Sequence, residues 1–153
     1  MHETEALHIR RLTAEDLEPL HRLLSDPAVM RYLEPPFTRA QTEAFLQKAG
    51  MGREPLIRAV EDGRGFAGYV IYHPYDETSM ELGWVLASDR WGRGYALALT
   101  RQMICRARES GRDAVIECLP QQAATRHIAE KLGFRPCGMD GGCCVYRLAG
   151  KNE

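Results

Sequence analysis

Several familiar signatures are missing from this 153-residue chain, and each absence removes a class of function. No glycine segment is closed by Gly-Lys-Ser or Gly-Lys-Thr, so the phosphate grip of nucleoside-triphosphate enzymes is absent. A dinucleotide-type Gly-x-Gly-x-x-Gly is absent too, because Leu97 stands where the third glycine after Gly92 and Gly94 would fall. None of the five cysteines sits in a Cys-x-x-Cys arrangement, and an odd number cannot all pair within the chain. His2, His8, His21, His73 and His127 show no metal-like spacing with Asp, Glu or Cys, so no metal is expected. No apolar run approaches a membrane span, and the opening Met-His-Glu-Thr-Glu is unlike a signal peptide. There is also no excess of either charge: 20 basic against 21 acidic residues give a net charge of −1. A nucleic-acid partner is not expected on that balance. The expectation is a cytoplasmic protein with reduced thiols and no membrane partner.

What is present reads as one compact domain over residues 1–153, with its core over about residues 7–149. Leu7–Leu12 alternates as an opening strand. Thr13-Ala14-Glu15-Asp16 starts a helix carrying Leu17, Leu20, Leu23 and Leu24, and Asp26-Pro27 is expected to restart the helical path through Tyr32. Pro35-Pro36 breaks it, and Thr38 with Gln41 forms a capping box for a helix to about Lys48. Pro55–Glu61 and Phe66–His73 read as a hairpin turning at Asp62-Gly63-Arg64-Gly65. Pro74–Glu77 then turns the chain into a strand over Met80–Leu86.

Ala96, Leu99, Met103 and Ala107 share one helical face, with Leu97 and Ile104 beside them and Gly111 as the C-terminal cap. Ala114–Leu119 is a short strand, followed by a helix closed by Gly133 and a hairpin of Phe134–Gly138 with Cys143–Leu148 across Met139–Gly142. Cys105 and Cys118 read as small core residues, while Cys143 and Cys144 point to opposite faces of a strand. The order is β-α-α-β-β-β-α-β-α-β-β.

The most informative stretch is Trp91-Gly92-Arg93-Gly94-Tyr95-Ala96, between an apolar strand and a long amphipathic helix. A glycine turn opening a helix gathers unpaired backbone N–H groups and the positive end of the helix dipole, which suits an anion, phosphate above all. Together with Gly83-Trp84-Val85-Leu86 before it, this stretch closely resembles motif A of the GNAT N-acetyltransferase superfamily. Thr125-Arg126-His127-Ile128-Ala129-Glu130-Lys131-Leu132-Gly133-Phe134 resembles that family's motif B. Trp91 and the Glu-Lys-Leu-Gly-Phe ending are similar to the Rim-type branch, which includes ribosomal-protein N-terminal acetyltransferases. With Asp26-Pro27-Ala28-Val29-Met30-Arg31-Tyr32 near the start, the likeness covers nearly the whole chain.

The resemblance implies a single-domain α/β acyltransferase fold, a mixed central sheet flanked by helices, with acetyl-CoA as cosubstrate. It implies that the backbone of Trp84, Val85 and Leu86 pairs with the pantetheine arm. The backbone amides of Trp91, Gly92, Arg93, Gly94, Tyr95 and Ala96 would hold the pyrophosphate, with Arg93 adding charge or facing solvent. Gln122 stands where the family usually has an asparagine bonded to the coenzyme. Glu81 is the candidate general base, acting directly or through a water; the alternative is a strand glutamate that merely faces solvent. The tyrosine acid common in the family is excluded, since Ala129 occupies its place. Thr125 matches the Rim-type serine that reaches the coenzyme sulfur, or else it bonds its own helical turn. Tyr32 and Phe37 are candidates for the acceptor pocket, although aromatics there also serve as core. The acceptor is expected to be a primary amine, on a small molecule or at a protein N-terminus. A non-catalytic acyl-CoA-binding regulatory module is the alternative, and a nucleotide-binding regulator is disfavoured by the missing Walker lysine. The sequence is silent on the oligomeric state.

Overall fold

The structure, a computed structural model, describes residues 7–150. The segment Met1–Glu5, read above for targeting, and His2 with it lie outside the described residues. The elements are β1 (His8–Arg10), α1 (Leu17–Leu24), α2 (Arg39–Phe45), β2 (Ile57–Asp62), β3 (Gly65–Asp76) and β4 (Ser79–Leu86). They continue with α3 (Tyr95–Glu109), β5 (Asp113–Cys118), α4 (Ala123–Lys131), β6 (Arg135–Asp140) and β7 (Cys143–Leu148). This is the expected order. The strands form one mixed seven-stranded sheet in the order β1-β2-β3-β4-β5-β7-β6. β4 and β5 run parallel, while β1–β2, β2–β3, β5–β7 and β6–β7 are antiparallel. Internal contacts divide the chain into two compact units: residues to Ile71 with Trp84–Tyr95, and Tyr72–Gly83 with the residues from Ala96.

In the first unit, local caps decide where helices start. Thr13 and Asp16 exchange backbone and side-chain bonds ahead of α1, and Thr38 and Gln41 do the same for α2. Buried Asp16 also takes both ends of the Arg10 guanidinium, at 2.8 and 2.9 Å. The apolar stripe of α1 joins a core containing Leu20, Leu23, Leu24, Leu46, Ile57 and Tyr69.

Two expectations fail in this unit. Residues Asp26–Tyr32 are turns rather than helix. Asp26 caps the amide of Ala28 at 2.9 Å and Met30 N–H reaches the Asp26 carbonyl at 3.1 Å, but Leu33 N–H bonds the Met30 carbonyl three residues back, so the start is not carried past a single turn. The α-helix expected to reach Lys48 stops at Phe45 and continues as a π-type turn over Leu46–Gly50. The β2–β3 hairpin closes more tightly than expected, pairing Asp62 with Gly65 across Gly63 and Arg64.

In the second unit, β5 is flanked by β4 in register Glu81↔Val115 and by β7 in register Ile116↔Tyr146. Both helices end in the same way. Gly111 and Gly133 adopt φ of 72° and 90°; Arg112 N–H then reaches back to the Ala107 carbonyl, and Phe134 N–H to that of Ala129, each at 2.9 Å. This is the Schellman closure that the two glycines make possible.

The buried face of α3 includes Leu99, Thr100, Met103, Ile104 and Ala107, while Ala96 and Leu97 are only half-buried. Thr100 is satisfied by the Ala96 carbonyl at 2.6 Å. Cys105 faces outward rather than into the core, whereas Cys118 is buried as expected. All five thiols are free. β3 runs on through Pro74 to Asp76, so the expected Pro74–Glu77 turn shrinks to Glu77 and Thr78. Pro74 lies beyond Ile71, the last β3 residue paired with β2, and so breaks no ladder bond there. Likewise β6 extends to Asp140, leaving Gly141 and Gly142, both at positive φ, as the whole turn.

One glycine sets how closely two strands approach. A Cβ on Gly68 would lie 2.2 Å from the Val85 carbonyl oxygen and 2.8 Å from Leu86 Cα, and its φ is 146°. The close partners are backbone, which cannot rotate away. Gly68→Ala is therefore expected to lose more than about 2 kcal/mol of stability, read as a lowered denaturant midpoint; an unchanged midpoint would refute the constraint.

Candidate active site

β4 ends at Leu86, a single 3₁₀ turn follows over Ser88–Arg90, and the glycine turn then leads into α3 at Tyr95. Gly92 and Gly94 both take left-handed backbone conformations, with φ of 75° and 80°. That conformation explains why glycine stands at both places. No atom lies within 4 Å of where a Cβ on Gly92 would be, so this turn presents open backbone.

The turn is fixed by a carboxylate far away in sequence. Asp62, at the end of β2, receives Arg90 Nε at 2.9 Å and Nη2 at 3.0 Å, and the Tyr95 hydroxyl at 2.8 Å. Arg90 precedes the glycines and Tyr95 follows them, so one carboxylate holds both ends. The Asp62 side chain is 3% exposed and that of Arg90 is 9%. The two-pronged bond from the guanidinium holds the Asp62 carboxyl far below the usual carboxylate range, and Arg90 is pushed up correspondingly. The Tyr95 side chain is thus structural. Trp91 is half-exposed, and its indole N–H donates to the Leu86 carbonyl at 3.0 Å, tying the turn back to β4.

Glu81 lies on the part of β4 paired with β5, with its side chain 25% exposed. Its carboxyl is pushed above the usual range, mainly by burial; the His73 charge opposes this and the Glu117 charge adds to it. His73 Nε2 stands 3.7 Å from Glu81 Oε1. On β5, Glu117 Oε2 accepts from the Tyr75 hydroxyl at 2.8 Å, which drives that phenol up to about 12.

At the start of α4, Gln122 turns its amide oxygen back onto the Leu119 N–H at 2.8 Å, and Arg126 Nε bonds the Pro120 carbonyl at 2.8 Å. Among the described residues the NH₂ end of the Gln122 amide bonds no group. Thr125 is half-buried, and among the described residues its hydroxyl bonds no group, its own helical turn included. Tyr32 is half-buried with the Arg31 guanidinium 5.1 Å from its ring centre. Phe37 packs edge-on against Phe45 at 5.9 Å and gives its amide to the Leu24 carbonyl at 2.8 Å. That makes Phe37 at least a packing residue of the first unit. His127 is exposed. Among the described residues no group of three or more His, Cys, Asp and Glu is placed to hold a metal ion, and no helix is long and apolar enough to cross a membrane.

The sequence pattern missed Asp62, Arg90, His73, Tyr75 and Glu117. Asp62 reads as a turn former, and its partners lie 28 and 33 residues away. His73 and Glu117 carry one available signal, their position on strands beside the one bearing Glu81.

A model of the acetyltransferase (GNAT) domain matches residues 6–135, and the chain belongs to that family of N-acetyltransferases. It is similar to the uncharacterized N-acetyltransferase YnaD of Bacillus subtilis (strain 168), 26% identical over 145 residues, 92% of this chain and 85% of that protein. Its fold matches a GNAT-family acetyltransferase from Bacillus anthracis with a TM-score of 0.80 and 25% identity, over 95% of each chain. It also matches the ribosomal-protein-alanine N-acetyltransferase of Brucella melitensis with a TM-score of 0.70 and 22% identity, covering 93% of this chain and 99% of that one. The family uses acetyl-CoA and acts on amine acceptors.

The Asp62 clamp has a testable electrostatic signature. A carboxylate whose pKa is depressed in the fold adds stability that is complete above its unfolded pKa of about 4 and is lost as pH falls below it. Asp62→Asn leaves the buried Arg90 with only the exposed Asp89 carboxylate, 3.1 Å from Nη1, and is expected to cost about 3 kcal/mol at pH 7. Denaturation across pH 6 to 2 should show the gap to wild type closing as the medium turns acidic. A gap independent of pH would contradict the assignment.

Proposed function

We propose that this protein transfers the acetyl group of acetyl-CoA directly to a primary amine, on a small molecule or at a protein N-terminus, with Glu81 as base and Thr125 as donor to sulfur. The observation that carries the reading is the glycine turn: two left-handed glycines, braced on both sides by Asp62, at the N-terminus of a 15-residue helix. The first amides of a helix have no acceptor within it. The amides of Gly92, Arg93, Gly94, Tyr95 and Ala96 are thereby suited to the coenzyme pyrophosphate, aided by the helix dipole, whereas the Trp91 amide is already given to the Ser88 carbonyl at 3.3 Å.

Ahead of the turn, the backbone of Trp84, Val85 and Leu86 pairs with the pantetheine arm, and the free end of the Gln122 amide donates to the coenzyme. Tyr32 and Phe37 border the acceptor. An ammonium gives one proton to Glu81, and the freed amine then attacks the thioester carbon. As the carbon–sulfur bond breaks, the second amine proton passes to the sulfur while the Thr125 hydroxyl stabilises the developing thiolate. Desolvation of Glu81 favours this role, because a raised carboxyl is a stronger base at working pH. The test is thiol release from acetyl-CoA with a panel of amines and N-terminal peptides; release with none of them would leave a binding module.

Glu81→Gln is expected to slow turnover by about 10²–10⁴-fold with unchanged coenzyme affinity. Its stability moves the other way. A carboxyl raised by burial is disfavoured when ionised, so the fold loses stability as pH rises through the interval between its usual and raised pKa. The glutamine variant should therefore be no less stable than wild type at pH 7. Wild-type turnover in this variant would return Glu81 to a strand role.

Thr125→Val keeps the shape and removes the hydroxyl, and should slow turnover by an amount equivalent to about 2–4 kcal/mol. Thr125→Ser should retain most activity, and equal rates for all three would remove Thr125 from the chemistry.

A further inference from the structure

The Glu81 carboxyl has a partner whose neutral tautomer is fixed by geometry. His73 Nδ1 lies 3.0 Å from the Pro74 carbonyl oxygen. A carbonyl only accepts, so Nδ1 must carry the hydrogen. In the neutral ring Nε2 is then a bare lone pair, and it is this nitrogen that faces Glu81 Oε1 at 3.7 Å. A lone pair and a carboxylate repel unless one of them holds a proton. Once Glu81 has taken a proton, that lone pair is the acceptor turned towards it. Each side chain is 25% exposed, so the pair is partly shielded yet open to water on the His73 side or the Glu81 side.

We propose that His73 is the proton relay of Glu81, receiving on Nε2 the proton that Glu81 takes from the acceptor ammonium and releasing it to water. The inference rests on the reading of Glu81 as base. The surroundings explain the need for it. Glu117 on β5 adds its negative charge near Glu81, while its own carboxylate is held by Tyr75 from β3. Asp140 on β6 and Cys143 on β7 belong to the same electrostatic neighbourhood. In that negative field a proton on Glu81 is retained, and the base is not restored until the proton leaves. His73 is the neighbour able to take it as a cation.

A small rotation of the Glu81 carboxyl closes 3.7 Å to hydrogen-bond length, a tightening common between free and substrate-bound sites. The protons balance. The ammonium loses one through Glu81 and His73 to water; the nitrogen–carbon bond forms as the carbon–sulfur bond breaks; the second goes to sulfur. The products are the N-acetyl amine, the free coenzyme thiol and one released proton. His73 acts through Glu81 and is a positioning residue.

Two measurements test this. In the free protein, nitrogen-15 NMR of neutral His73 should show the Nδ1–H form, and the Nε2–H form would overturn the proposal. Turnover is then followed as thiol release from acetyl-CoA, with 1,5-diaminopentane or a peptide bearing a free N-terminal alanine. His73→Gln should lower kcat tenfold or more and leave the KM for acetyl-CoA unchanged. In His73→Ala, added imidazole should restore activity in proportion to its concentration. A His73→Gln enzyme with wild-type kcat overturns the relay. If Glu81→Gln is slow while His73→Gln is not, the base reading stands and the relay alone fails; if Glu81→Gln is itself wild-type, both fall.

Discussion

The structure around the glycine turn depends on one buried ion pair, Asp62 with Arg90. A turn containing Gly92 and Gly94 has more backbone freedom than any other kind of segment its length, and freezing it is entropically expensive. The cost is offset from outside the turn. Asp62 is anchored at the end of a paired strand, and it gathers a guanidinium from one side of the glycines and a phenol from the other. Its remaining capacity goes to the Arg64 amide at 2.9 Å, so a carboxylate taken almost wholly out of water has every interaction it needs. That completeness is what makes a buried charge tolerable. The flexible part of the chain is thus positioned by the most rigid kind of contact available.

Two carboxylates are displaced in opposite directions by their surroundings. Asp62 meets a fixed cation in a two-pronged geometry and stays ionised under all ordinary conditions. Glu81 is half-buried without such a partner and feels a second negative group, Glu117, so its proton is held more tightly. The first suits a strut and the second suits a group that must accept and return a proton. Separation of this kind between titratable groups is how a fold assigns structural and chemical roles to identical functional groups.

Much of the fold was legible because its determinants are local. Thr13 with Asp16, Thr38 with Gln41, and the glycines at 111 and 133 act within a few residues of where they sit, and each does what its spacing implies. Sequence and structure part where composition suggests a turn and pairing overrides it, as at Pro74 and Met139, or where a capped start is not carried past one turn, as after Asp26. Cys105 was misjudged because a helix pattern tolerates one residue of rotation at the margin of its buried face. The glycine turn, Glu81 and Thr125 could be found from order along the chain. The clamp on the turn and the groups around Glu81 could not, since they are made by strands meeting across tens of residues, and no spacing rule connects Asp62 to Arg90 or Glu81 to Glu117.

The tie between the Trp91 indole and the Leu86 carbonyl has an optical consequence. The chain has two tryptophans, and both lie on the short stretch from the end of β4 to the glycine turn. One is half-exposed with its N–H engaged by the very strand end that the other helps to form. Intrinsic emission excited at the indole band therefore reports on this stretch of the molecule and on little else. The protein carries, without labelling, a spectroscopic probe confined to the segment where its coenzyme is expected to lie.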